Sequence, residues 1–324
     1  PARIRTMACV AGVSLERGVP AEEVRDYIRD PANLVWMDVR DPGPAELSTL
    51  LEEFGFHPLA LEDVARGQQR PKVDEYKGYL FVVVYGVAPA VGDGEPQTLE
   101  VDLFIGRNYV VSVHRGRVPA IDEALARWTR GGVMLRQGVG FLVYTLMDAI
   151  IDAYFPILDA IEDQVDEAEL AMFGRLDEDC TFRLLRTKRT LVTLRRVLYP
   201  LRDIFHVFLR RDHSYFTPET LVYFQDVQNH VLRILDVVDI ERERVAGAME
   251  AYLAVVSNRL NRTMTALTFC TIAVGVIGAV FGAYGMNFAE IPLADRPWGF
   301  AAVAGGTVVL IGALLLYARR RGWF

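Results

Sequence analysis

A chain of 324 residues, 52% hydrophobic and 24% charged, has the makeup of a folded protein and room for two soluble modules and an anchor. Its net charge of −7 argues against a nucleic-acid partner, because a phosphate binder carries a basic stripe. Cys9, Cys180 and Cys270 are far apart and odd in number, which suggests neither a disulfide framework nor a zinc cluster and fits a reducing compartment.

Residues 1–15 hold two arginines and no sustained apolar core, so no signal peptide is expected. Residues 1–130 read as a mixed α/β domain. The β-branched and aromatic run 80–87, the alternation of apolar and acidic residues over 99–105, and 109–114 (YVVSVH) are strand candidates. Helices are expected over 44–54 and 119–128, each with Pro in the first turn, and the Pro/Gly-rich stretch 88–96 reads as a loop. The domain holds no glycine-rich phosphate loop, nucleophile elbow or nucleophile–base grouping, so no enzyme is expected.

Residues 131–217 read as a helical hairpin: one helix over 141–173, bent at Pro156, a turn at Gly174, and a second over 177–211 interrupted at Pro200. Between Asp159 and Asp179 there are nine acids and one base; between Arg183 and Arg202 there are seven bases and no acid. Either the two helices attract each other through exposed pairs worth about 0.2–1 kcal/mol each, or an acidic tip gathers cations near a pore mouth. Thr217 then offers an N-cap and Pro218 a first helical position. With no further proline before Pro292, a third helix can run over 218–284, roughly 100 Å at 1.5 Å per residue.

The end of that helix, 264–284, is an uncharged run of 21 residues, and 298–318 is another of the same length. Each reaches the roughly 20 residues that cross a bilayer core. Trp298 and Tyr317 lie where interfacial aromatics belong. Buried core helices of a soluble protein are the alternative. Arg259 and Arg262 precede the first run and Arg319, Arg320 and Arg321 follow the second, whereas the loop 285–297 carries Arg296 with Glu290 and Asp295. Both termini, including the basic tail 319–324, are therefore expected in the cytoplasm and the loop outside. Two helices cannot enclose a pore, so transport would require several copies around an axis.

A polar or small stripe recurs along the first run at spacings of three and four: Asn261, Met264, Leu267, Thr271, Gly275, Gly278 and Gly282. Small residues on one face let helices approach closely, as in the Gly278/Gly282 pair, or line a water-filled pore. Asn261 followed by Met264 and Leu267 reads as a polar ring ahead of an apolar constriction, which favours the pore.

Tyr284-Gly285-Met286-Asn287 follows the first run directly. Here the chain resembles the CorA family of magnesium channels, whose signature is Gly-Met-Asn at this place. Arg70-Pro71-Lys72-Val73-Asp74-Glu75-Tyr76, the segment from Met147 to Pro156, Asp226-Val227-Gln228-Asn229-His230 and Val256-Ser257-Asn258-Arg259-Leu260-Asn261 also look familial. The resemblance implies an α+β cytoplasmic domain followed by long helices and two transmembrane helices, assembled as a funnel-shaped homopentamer in the cell's inner membrane. The first span would line the pore, with Asn287 as an outer ring. Magnesium dehydrates reluctantly, so a ring of amide oxygens that binds its water shell suits it. Gly285 would permit the bend at the helix end.

Many members of the family carry Pro and a pore-facing Thr midway along the first span; Gly275-Val276-Ile277-Gly278 stands there in this chain, implying a wider or more flexible middle. The loop acid that commonly follows the proline is replaced by Leu293 after Pro292. The resemblance also points to Asp226 as a ligand of a regulatory magnesium bound between neighbouring cytoplasmic domains, facing an acid of the first domain, with Asp93, Glu100 and Asp102 as candidates. Magnesium is then both cargo and controlling ligand, with cobalt and nickel as related cargoes. A zinc transporter on the same architecture, drawing on His206, His213 or His230, and a membrane-anchored sensor or scaffold without flux are the competing readings.

Overall fold

The computed structural model describes residues 3–90, 92, 94–130, 137–172, 178–210, 215–286, 292–293 and 296–320. By packing, the chain divides into Pro1–Gly247 and Ala248–Phe324.

The first unit is built on one sheet of β1 (Arg3–Val10), β2 (Ser14–Arg17), β3 (Leu34–Arg40), β4 (Lys72–Tyr76), β5 (Tyr79–Ala88), β6 (Gln97–Ile105) and β7 (Tyr109–His114), in the order β2-β1-β3-β7-β6-β5-β4. All neighbours are antiparallel except β3 and β7, which run parallel with Met37 opposite Val111. The three expected strands are present as β5, β6 and β7; β1, β2, β3 and β4 were not anticipated. In β3 all residues but the last are buried. A strand covered on both faces loses the apolar–polar alternation that marks a half-exposed one.

Helices cover both faces. α1 (Val24–Arg29), α2 (Pro44–Phe54) and α3 (Pro58–Arg66) pack Val24, Leu50, Ala60, Leu61 and Val64 onto Met37, Phe81, Val83, Phe104 and Val111. Pro44 and Pro58 open their helices, where the missing N–H costs nothing. The Gly43 N–H donates to Glu46 Oε2 at 2.8 Å, closing the first turn of α2. α4 (Pro119–Thr129) and α5 (Gly138–Asp152) lie on the other face, where Trp128 meets Trp36 edge-on at 5.9 Å between ring centroids.

A buried polar network ties this second face together. Arg5 donates to Asp38 Oδ2 from Nε at 3.0 Å and Nη2 at 2.7 Å, and to Asp122 of α4 at 2.7 Å. The Ser112 hydroxyl donates to Asp38 Oδ1 at 2.6 Å and accepts from Trp36 Nε1 at 3.0 Å. Burial by itself would raise the Asp38 carboxyl, but the His114 ring, Ser112 and Arg5 hold it below the usual carboxylate range.

The single helix expected over 141–173 is two, α5 and α6 (Phe155–Met172), broken at Ala153 and Tyr154. Pro156 lacks an N–H and its ring crowds the carbonyl four residues back, so the helix stops at Asp152 and restarts with Pro156 in its first turn. The next helix is likewise divided, into α7 (Glu178–Leu198) and α8 (Leu201–Phe208), with Pro200 as the N-cap of α8.

α9 runs from Pro218 to Tyr284, and its first part belongs to this unit. Phe208 of α8 packs against Phe216 and Phe224 at 5.2 and 5.3 Å, and a Cβ on Gly140 of α5 would sit 2.8 Å from Thr220 Oγ1, so α5 and α9 touch through glycine. Of the segregated charges, Arg183 and Glu167 join α6 to α7 at 3.7 Å, both exposed. Asp166 and Glu169 pair instead with Arg244 of α9, which Glu241 also holds. The acidic helix is thus tied in part to α9 rather than wholly to its basic neighbour.

The second unit holds the rest of α9 and α10 (Gly299–Arg320). Only 6% of the most apolar stretch of α9 and 11% of that of α10 is buried, against 72% for the apolar stretch within Gly138–Ala171. All three are long and apolar enough to cross a membrane, but α5 spends its apolar surface on the core of the first unit. α9 and α10 leave theirs open, as membrane spans do and core helices do not.

Candidate pore face and metal site

Within the second unit α9 has two unlike sides. Ala266, Phe269, Ala273 and Val276 line an apolar groove together with Ile311 and Leu314 of α10, and Phe281 meets Phe300 at 6.1 Å. Asn261, Met264, Leu267, Thr271, Gly275, Gly278 and Gly282 are all exposed. At about 100° per residue they fall roughly half a turn from the groove-lining residues. A Cβ on Gly275, Gly278 or Gly282 would meet nothing within 4 Å, so these glycines do not serve the packing of α9 on α10. The Thr268 and Thr271 hydroxyls donate to the carbonyls of Met264 and Leu267 at 2.8 and 2.9 Å, which leaves their oxygens free to accept.

At the end of α9 the Gly285 N–H donates to the carbonyls of Phe281 and Gly282 at 3.0 and 3.1 Å, and Met286 to Ala283 at 3.3 Å. Gly285 does not take a left-handed φ, so the bend expected of it is an ordinary closing turn. The Tyr284 hydroxyl donates to the carbonyl of Pro292 at 2.9 Å, joining the helix end to the loop. Asn287 lies outside the described residues, as do Glu290, Asp295, Asp93 and His213.

The first unit brings together groups that sequence reasoning left apart. Carboxylate oxygens of Asp148 and Asp152 and a ring nitrogen of His230 all lie within 4.8 Å of one another. The aspartates are one turn apart on α5 and His230 is on α9. Asp148 is buried, and Arg127 of α4 donates to it at 2.6 Å. Burial, and then the charge of Asp148, push the Asp152 carboxyl up, while His230 and Arg127 pull it down. Tyr144 of α5 feels the charges of Asp148, Asp226 and Asp152 as well as Arg127. Asp226 lies exposed one turn before His230 on α9, outside the group of Asp148, Asp152 and His230. Two carboxylates and an imidazole can form part of a divalent ion's shell, with water completing it. Arg127 is the competing cation.

Glu100 and Asp102 do not join this cluster; they line a separate cavity beside α3. The only sequence signals for the α5 site were the one-turn spacing of Asp148 and Asp152 and the likeness of both segments to the family.

Residues 31–320 match the family model described as CorA-like Mg2+ transporter protein. The chain belongs to that family. Among CorA-like relatives, a Bacillus subtilis protein named as a metal ion transporter, YfjQ, is 32% identical over 289 residues, 89% of each chain. The cobalt/magnesium transport protein CorA of Thermotoga maritima is 30% identical over 298 residues, 91% of this chain and 85% of that one. The complete structure of the CorA magnesium transporter from Methanocaldococcus jannaschii superposes with a TM-score of 0.82 at 25% identity, covering 98% of both chains. The family is one of membrane transporters, not of enzymes, and its fold is the α/β domain followed by long helices described above.

Proposed function

We propose that copies of this chain assemble, as a funnel-shaped homopentamer, into a channel that carries hydrated magnesium into the cytoplasm. Both termini lie on the cytoplasmic side of the cell membrane. The observation that carries the reading is the two-sidedness of α9. One face is apolar and turned to α10; the opposite face holds Asn261, Thr271 and three glycines that no described residue covers. Arranged around an axis, that face lines a lumen whose exposed backbone and hydroxyls can hold the water shell of the ion, and Asn287 supplies the outer ring of amide oxygens. Purified protein in liposomes should pass magnesium down its gradient, and faster with a negative interior. Cobalt and nickel should also pass. Zinc flux without magnesium flux would favour the zinc transporter, and no flux of any divalent ion would leave the sensor or scaffold.

Met264 and Leu267, 54% and 60% exposed on that face, form the hydrophobic constriction. Apolar rings close a pore by dewetting. Leu267→Asp should wet it and leak at high internal magnesium, when the parent protein is shut. A variant as tightly closed as the parent under those conditions would move the gate elsewhere.

A negative interior favours entry of a divalent ion by about 4.6 kcal/mol per 100 mV, so the channel needs a shut-off. Magnesium held by Asp226, with Asp148, Asp152 and His230 beside it, offsets repulsion among the acids and holds the closed assembly; its loss lets the subunits open. Asp226→Lys supplies a fixed positive charge at the same place. It should keep the cytoplasmic part resistant to protease in chelator, where the parent is digested. Equal digestion rates would remove Asp226 from the sensor.

A further inference from the structure

Outside the pore face and the α5 site, the first unit contains a second acidic constellation, on β6. The alternation that marked 99–105 as a strand assigns its acids to a solvent-facing side. Asp102 is instead only 5% exposed. It and Glu100, two residues apart on one strand, point to the same side of the sheet, where α3 and the segment after it wall off a cavity of about 220 Å³. Glu100 Oε2 is engaged: it accepts from the Gln69 N–H and the Tyr85 hydroxyl, each at 3.0 Å. Its Oε1 and Asp102 Oδ1 are both buried, and no described residue donates to either. A buried acceptor without a donor costs about 1–3 kcal/mol, more when charged.

Arg66, His114 and Arg115 also line the cavity, and the charges of Lys72 and Arg115 act against the upward shift of Asp102, but each basic group nearby has another partner. Lys72 is shared by Asp63 and Asp74 at 2.8 and 2.6 Å. Arg66 is paired with Glu62 at 2.6 Å, and Arg115 donates to the carbonyl of Ala65. His114 Nδ1 donates to the carbonyl of Gly116 at 2.9 Å. Burial, then the charges of Glu100 and Asp63, push the Asp102 carboxyl well above its usual range. A carboxyl raised in this way favours a proton or a bound cation over the bare charge.

We propose that Glu100 and Asp102 hold a hydrated divalent cation of the magnesium or manganese class, in a site within the first domain and separate from both the pore and the α5 cluster. The Cβ atoms of alternate residues on one strand stand about 7 Å apart, a span that two carboxylates can bridge through one ion and its waters. The cavity has the room: six waters at about 30 Å³ each take up ~180 Å³. Magnesium keeps several waters when one or two carboxylates bind it, which matches two acids with one unsatisfied oxygen each.

Manganese is the probe, counted by electron paramagnetic resonance on the full chain in detergent. Asp102→Asn and Glu100→Gln should each lose one bound manganese per chain, or weaken it at least tenfold, whereas Asp152→Asn should retain that ion. A raised carboxyl in the folded state contributes stability below the unfolded value and loses it as pH rises through the folded one. Asp102→Asn should therefore melt no lower than the parent at pH 7 in chelator, and should lose the upward shift in melting temperature that manganese gives through this site. Parent-like manganese counts in both the Asp102 and Glu100 variants would overturn the proposal. So would a loss confined to Asp152→Asn. If Asp102→Asn fails to fold, Glu100→Gln, at the more open end of the cavity, decides the matter by the same count. The count is read without flux, so its failure is distinguishable from failure of the channel reading.

Discussion

Asn287→Ala should cut magnesium flux in liposomes at least tenfold while leaving the assembled oligomer intact. The residue follows directly on Met286, at the end of the helix whose uncovered face we assign to the pore. A magnesium ion entering from outside arrives with its water shell, and removing that shell is the largest barrier it faces. Side-chain amide oxygens accept hydrogen bonds from those waters; an alanine methyl cannot, and every copy around the axis loses its acceptor at once. A tenfold loss corresponds to ~1.4 kcal/mol of barrier, modest for a whole ring of hydrogen bonds. Size-exclusion chromatography of the variant separates a lost selectivity ring from a lost assembly. Near-parental flux in an intact oligomer would remove Asn287 from the ion path.

Asp38→Ala should be the most damaging substitution in the soluble part. Asp38 is fully buried and accepts from Arg5 and Ser112, and Arg5 reaches on to Asp122 of α4. Its loss leaves a partly buried guanidinium without its main partner and a buried hydroxyl without its acceptor. Breaking a buried pair from one side costs on the order of 3–5 kcal/mol, which should appear as a clear fall in the thermal midpoint in detergent. The pH dependence follows from the direction of the shift. The folded carboxyl is depressed, so its contribution is present above the unfolded value of about 3.9 and is lost as pH falls through the folded one. Parent and Asp38→Ala should therefore differ most at neutral pH and converge below about pH 4. Equal midpoints at pH 7 would show that the network adds nothing to stability.

The parts legible from sequence are those whose physics is local to a stretch of chain. Two uncharged runs of 21 residues mark candidate spans by length and composition alone, and α9 and α10 leave them uncovered. Pro218 and Pro200 mark helix starts because proline acts on its own turn. Pro156 marks one as well, but where the sequence suggests a bend the structure has a break of two residues. The face of α9 that carries Asn261, Met264, Leu267, Thr271 and the three glycines follows from helical spacing alone. Which of two explanations for small residues applies does not. α10 takes the opposite side of the helix, which supports the pore reading we propose.

Three further matters were decided only by tertiary packing. β3 is not recognisable as a strand from sequence because helices cover both faces of the sheet there, which erases the alternation a single-sequence reading relies on. His230 met Asp148 and Asp152 because α5 and α9 approach closely at Gly140 and Thr220, and a distance of that kind between residues about 80 positions apart leaves no trace in spacing. Asp102 looked like the solvent side of a strand until α3 closed over it. A strand's period says which residues share a face; what covers that face, and so whether an acid there is solvated or must find a proton or a cation, belongs to the element packed against it.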